Sequence, residues 1–141
     1  VLDTQVVLDW LVFREPAVQP LASRLEAGAV RWLLAPTLAD ELMQVLERPF
    51  LARWMSDLSG VRAAVARWAH RVDDPPPVGR PDIHPRCRDV DDQKFIDVGL
   101  HHRAAWLVTR DRALLALART TRSRGLWVVT PAQWVARAGG R

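Results

Sequence analysis

The chain has 141 residues, 49% hydrophobic and 26% charged, with a formal net charge of +4, a balance that fits one globular domain with a sizeable core and needs no second domain. No apolar run approaches the roughly 20 residues of a membrane span, and the N-terminus lacks the charged-then-apolar pattern of a secretory signal, so a cytoplasmic location with no membrane association is expected. Cys87 is the only cysteine, which excludes an internal disulfide and any multi-cysteine zinc site.

The chain begins at Val rather than Met, and the expectation is that a residue or two is missing or removed upstream. From there it reads as strands alternating with helices, the pattern of a parallel sheet covered on both faces. Val1-Leu2 is a first strand, continuing apolar through Val6-Val7-Leu8 as the chain turns into a helix. A helix over residues 16–27 precedes a second strand at Val30–Leu34. Thr37 is placed to cap a long helix over 38–48, which Pro49 interrupts. One or two further helices follow, with Val61, Val65 and Trp68 on one apolar stripe. Pro75, Pro76, Pro77, Pro81 and Pro85 exclude helix and central strand over residues 73–86. This is a loop within one domain spanning residues 1–141, of the length that often serves as a lid or binding loop. Next come a helix over about 90–102, a strand at Trp106-Leu107-Val108, a helix over 112–122, a strand at Leu126–Val129 and a short helix after Pro131.

Against this frame the acidic residues divide. On the helix after Thr37, Leu38, Leu42, Val45 and Leu46 form the buried stripe at 100° per residue. Asp40 and Glu47 fall opposite it, whereas Glu41 lies at its margin, where an unpaired carboxylate is costly and invites a metal or an Arg. In the following acidic segment Arg88-Asp89-Val90-Asp91-Asp92, Asp92 shares the inward face of its helix with Phe95, Ile96 and Gly99, while Asp97 points away. Asp89 and Asp91 have the simpler reading of helix caps and first-turn acids. Asp3 and Asp111 follow apolar strands, and ligands of doubly wound sheets bind beyond the strands' carboxyl ends.

Gathered carboxylates repel by roughly 4 kcal/mol per pair at 4 Å and an effective dielectric of about 20, so the set makes sense around a cation. Hard oxygen donors select Mg²⁺ or Mn²⁺, ions that serve phosphoryl chemistry. The four histidines show no metal-ligand spacing. No Gly-x-Gly-x-x-Gly or P-loop is present, and Gln5 stands where an aspartyl-phosphatase of the haloacid dehalogenase type would need a second Asp. Residues 101–141 carry 8 Arg against the single Asp111, while residues 1–100 carry 12 basic and 15 acidic groups. A polyanion therefore suits the C-terminal third, with Arg103, Arg110, Arg112, Arg119, Arg122 and Arg124 as its candidate contacts and Arg110 and Arg112 nearest Asp111.

These residues resemble the PIN domain family, and within it the toxin components of prokaryotic type II toxin–antitoxin pairs. The opening Val1-Leu2-Asp3-Thr4 is similar to the family's first motif and Glu41–Pro49 to its second. Arg88–Phe95 and Leu107–Asp111 are similar to its third and fourth. The resemblance implies an α/β fold, a three-layer αβα sandwich with a central parallel β-sheet. It also implies a Mg²⁺ or Mn²⁺ pocket made by Asp3, Glu41, Asp92 and Asp111, supported by Thr109, with Asp91 as a further neighbour. One departure stands out: members usually carry Asn two residues after the first Asp, where this chain has Gln5. The implied function is a metal-dependent endoribonuclease, a toxin held by a cognate antitoxin and suited to a homodimer. The alternative is a non-catalytic PIN-like module that binds RNA or a partner protein.

Overall fold

The computed structural model describes residues 1–54 and 57–138. Its elements in chain order are α1 (Thr4–Leu11), a 3₁₀ turn at Pro16–Val18, α2 (Gln19–Glu26), β1 (Trp32–Leu34), α3 (Pro36–Leu46), a 3₁₀ turn at Pro49–Arg53, α4 (Leu58–Trp68) and β2 (Ala69–Arg71). After the proline-rich loop come a 3₁₀ turn at Val90–Asp92, α5 (Gln93–His101), β3 (Trp106–Val108), α6 (Arg112–Leu115), α7 (Ala118–Arg122), β4 (Trp127–Val129) and α8 (Pro131–Ala138). Among the described residues no helix is long and apolar enough to cross a membrane.

The strands pair in parallel, as the alternation of strands and helices requires. β1 runs beside β2, Trp32 opposite Ala69, and β3 beside β4, Trp106 opposite Trp127. The first residues add a rung to the second pair: Leu2 bridges Val108, Asp3 N–H donates to the Val108 carbonyl at 3.0 Å, and Val108 N–H donates to the Val1 carbonyl at 2.9 Å. The chain is thus α/β, but its strands form two short parallel pairs where the sequence reading expects one longer sheet. The core lies between these strands and the apolar stripes of the helices: Val6 and Leu8 of α1, Leu38, Leu42 and Leu46 of α3, Phe95, Ile96 and Val98 of α5, Leu107, Val128 and Trp134 are all buried.

Several expected boundaries change for identifiable reasons. Thr37 does not cap α3; Pro36 already occupies its first turn, and the Thr37 hydroxyl donates to Asp74 at 2.7 Å, tying the start of the proline-rich loop to this helix. The expected helix over 16–27 opens with a 3₁₀ turn before Pro20 allows α2. The expected helix over 112–122 is two short helices meeting at Ala116–Leu117. β2 was not expected: Ala69-His70-Arg71 has no strand-like alternation and is extended through its pairing with β1.

Gly99 lets α5 approach the segment entering β4. A Cβ at this position would stand 3.0 Å from Leu126 Cδ2 and 3.2 Å from Leu126 Cδ1, and Leu126 is itself buried. A branched side chain has no room without moving one of the two elements. Gly99→Val is expected to lower the unfolding free energy by about 1–3 kcal/mol, read as a lower denaturant midpoint at unchanged slope; an unchanged midpoint would show that α5 does not rest on Leu126.

Candidate active site

The parallel bridge Leu2–Val108 leaves Asp3 and Thr109 side by side, each one residue past the bridge. The Thr109 side chain is fully buried, and its hydroxyl donates to Asp3 Oδ2 at 2.6 Å. The Thr109 hydroxyl oxygen in turn accepts the Asp111 backbone N–H at 2.9 Å. Asp111 Oδ1 then accepts Ala113 N–H at 2.8 Å as the cap of α6, so its carboxylate is aimed by the first turn of that helix. One hydroxyl therefore fixes two acidic residues that the chain separates by more than a hundred positions.

Asp92 reaches the group from the turn preceding α5 and shares a side-chain hydrogen bond with Asp111. Desolvation pushes the Asp92 carboxyl up to about 8, helped by the hydrogen bond to Asp111 and by the charges of Asp111, Asp3 and Asp89. The Asp111 carboxyl is held below its ordinary value, first by the hydrogen bond from Asp92. A raised carboxyl on Asp92 beside a lowered one on Asp111 is the expected response of two crowded carboxylates, which avoid carrying two full charges at once. Burial likewise raises the Asp3 carboxyl, against the Thr109 hydrogen bond, with the charges of Asp111 and Glu41 adding to the rise. Asp3, Glu41, Asp92 and Asp111 thus lie in one electrostatic neighbourhood.

Glu41 has a partner that the sequence reading did not name. Its Oε2 accepts the Thr4 hydroxyl and its Oε1 pairs with Lys94 Nζ at 2.9 Å, so the chain's one lysine fills the place expected for a metal or an Arg. Asp91 stands apart: it is exposed, and only its backbone N–H is engaged, by Asp89 Oδ1 at 3.0 Å. Gln5 is exposed, and its Nε2 donates at 3.0 Å to Asp9 Oδ1. Asp97 is half-buried rather than pointing away; it binds His84 Nε2 at 2.6 Å and Gln93 Nε2 at 2.9 Å and so fastens the end of the proline-rich loop to α5.

The expected cationic rim holds only in part. Arg110 pairs with the buried Asp9. Arg122 stacks on Trp127, 4.1 Å from the ring centroid, with Arg137 on the same ring at 4.7 Å. Trp127 opens β4, whereas Asp111 follows the end of the parallel β3, so Arg122 sits at the opposite end of the strands from the carboxylates. Arg124 donates to the Ile83 carbonyl of the proline-rich loop. Arg103, Arg112 and Arg119 are exposed. Asp9 is the residue most clearly missed. It is buried in the middle of an apolar helix face, and burial raises its carboxyl against the hydrogen bond from Gln5 and the charge of Arg110. The one signal for it in the sequence was an acid four residues after Gln5.

Among the described residues no three of the His, Cys, Asp and Glu side chains form a ready-made ligand group. The donor chemistry nonetheless suits a hard divalent cation: the residues offer oxygen alone, and burial and neighbouring negative charge raise the Asp3 and Asp92 carboxyls, a strain that a cation would relieve.

The PIN domain family model matches residues 1–113, a span that contains Asp3, Glu41, Asp92 and Asp111. The chain belongs to the PIN domain family, whose members are generally nucleases that use divalent metal ions. No curated protein and no solved structure matches the chain.

The raised carboxyls have a measurable consequence. A carboxyl whose folded-state value is raised binds more protons folded than unfolded between its ordinary value and the raised one, so its contribution to stability falls as pH rises across that interval. For Asp92 the interval runs from 3.8 to about 8, and the raised carboxyls of Asp3 and Asp9 act in the same direction. In EDTA, the melting temperature is expected to fall between pH 5 and pH 8, and Asp92→Asn to flatten most of that fall. A flat wild-type profile would contradict the raised Asp92 carboxyl.

Proposed function

We propose that this protein is a Mg²⁺- or Mn²⁺-dependent endoribonuclease, the toxin of a toxin–antitoxin pair, and that its two parallel strand pairs belong to the three-layer αβα sandwich of its family. The single observation that carries the catalytic part is the buried Thr109 hydroxyl joining the buried Asp3 to Asp111, with Asp92 raised against Asp111 beside them, inside the span that matches the PIN model. Carboxylates crowded this way lose stability unless something positive joins them.

Asp3, Asp92 and Asp111 would hold the cation, with Glu41 as the fourth carboxylate. When bound, such an ion supplies Lewis acidity toward a phosphodiester and toward water. The chain's own groups prepare the place. Thr109 keeps Asp3 in one orientation and the Asp111 backbone in register, the first turn of α6 aims Asp111, and Thr4 and Lys94 hold Glu41 at the margin of α3. Lys94 also places a positive charge beside the pocket, where a phosphate of the RNA backbone gains from it. Arg103, Arg112 and Arg119 are the remaining candidate arginines with an open surface for a single-stranded RNA. A cognate antitoxin and a homodimeric assembly complete the proposal by the likeness of the motifs to toxin components.

A second reading has one observation in its favour: Lys94 and Thr4 already occupy both oxygens of Glu41, as they would in a non-catalytic module that binds RNA or a protein. Activity separates the two. Purified protein is expected to cleave RNA in millimolar Mn²⁺ or Mg²⁺, EDTA to stop it, and Asp3→Asn or Asp92→Asn to lower the rate by at least the roughly 100-fold that losing a metal site's supporting partner costs, with far-ultraviolet dichroism unchanged. A folded wild-type protein that leaves varied RNAs intact in Mn²⁺ would favour the binding module.

A further inference from the structure

Asp9 is a carboxylate in an unfavourable place. It is 2% exposed on α1, among Val6, Val7, Leu8 and Trp10, and a buried charge costs free energy unless it is paired and hydrogen-bonded. Two groups supply that: Gln5 Nε2 donates to Oδ1 at 3.0 Å, and Arg110 Nη2 pairs with Oδ2. The Gln5–Asp9 contact is the i, i+4 pairing of a helix face. The Arg110 contact spans 101 positions and joins α1 to the segment between β3 and α6.

Arg110 is the residue between Thr109, which binds Asp3, and Asp111, which binds Asp92. Its guanidinium cannot lose its charge at any ordinary pH, so only its position decides how much of that charge the pocket feels. Left free, a long cationic side chain next to Asp111 would settle on the nearest carboxylates and act as a built-in competitor for any external cation. In the structure it pairs instead with Asp9, an acid that is itself withdrawn from solvent.

We propose that Asp9 is a positioning residue that sequesters the Arg110 guanidinium away from Asp3, Asp92 and Asp111, and that Gln5 holds Asp9 in this task, so that the pocket keeps its negative charge for a divalent cation. This rests on the metal-binding reading given under Proposed function. It also accounts for the departure at position 5. The longer amide reaches the acid one turn along α1, so Gln5 serves the tether rather than the pocket.

The test is Mn²⁺ affinity by titration calorimetry at fixed pH and ionic strength, needing no turnover, for the wild type, Asp9→Asn, Arg110→Gln and the double variant, each checked by thermal melting. Asp9→Asn keeps the size of the side chain and releases the guanidinium, so Mn²⁺ binding is expected to weaken about tenfold. The double variant lacks the released cation and is expected to return to within about threefold of the wild type, a rescue that a merely structural tether would not give. Unchanged affinity in Asp9→Asn, or a double variant as weak as Asp9→Asn, overturns the proposal. Should Asp9→Asn fail to fold, Arg110→Gln decides: affinity equal to or tighter than wild type, whatever the loss in melting temperature, supports sequestration, and weaker binding overturns it. A wild type that binds no Mn²⁺ overturns the metal-binding reading itself, a result distinct from a wild type that binds and an Asp9→Asn that binds equally well.

Discussion

The site depends on the rung of backbone hydrogen bonds between residues 1–3 and Val108. Parallel pairing there puts Asp3 and Thr109 abreast, and the buried Thr109 hydroxyl then reaches both Asp3 and the backbone of Asp111. Every further placement follows from these contacts. Asp111 is aimed by capping α6, Asp92 is met where α5 begins, and α1, starting at Thr4, carries Thr4 to Glu41 and Asp9 to Arg110. A side chain that donates once and accepts once, buried where no water can substitute, is an economical way to align two strand ends.

Electrostatics sets what the arrangement can do. Four carboxylates feel one another, and the protein relieves the crowding by two means: a raised carboxyl on Asp92 against Asp111, and the ammonium of Lys94 on Glu41. A divalent cation would do the same with more charge and would compete with protons for these carboxyls, so its affinity is tied to pH and rises as they deprotonate. The placement of the chain's own cations is consequently part of the site. Arg110 is held on Asp9, and Arg122 and Arg137 are stacked on Trp127 at the far end of the strands.

Periodicity and strand endings single out Asp3, Glu41, Asp92 and Asp111 as candidates, because each lies either on or at the margin of an apolar stripe or one step past an apolar strand, and those positions follow from helix and strand geometry. Thr109 and the motifs around it came with the resemblance to the PIN family. What escaped the sequence reading depends on tertiary partners. Asp9 lies within an apolar run, and its need for Arg110 could not be seen across a separation of 101 positions. Lys94 could not be matched to Glu41 without knowing that α3 and α5 pack together. β2 exists because β1 offers an edge, since Ala69-His70-Arg71 has little strand propensity of its own. The rim of arginines was read from charge density, which says nothing about direction. Aromatic stacking turned Arg122 away and a loop carbonyl engaged Arg124.

In the proposed function a divalent cation is held by the carboxylates that follow Leu2 and β3. Substoichiometric Mn²⁺, which is paramagnetic and acts over a short range, reports such a site by broadening backbone amide resonances. Asp3, Thr4, Gln93 and the residues from Thr109 to Ala113 are expected to broaden first, ahead of the amides near Trp127. Broadening centred elsewhere, such as at His101 and His102, or spread evenly over the acidic surface, would contradict it.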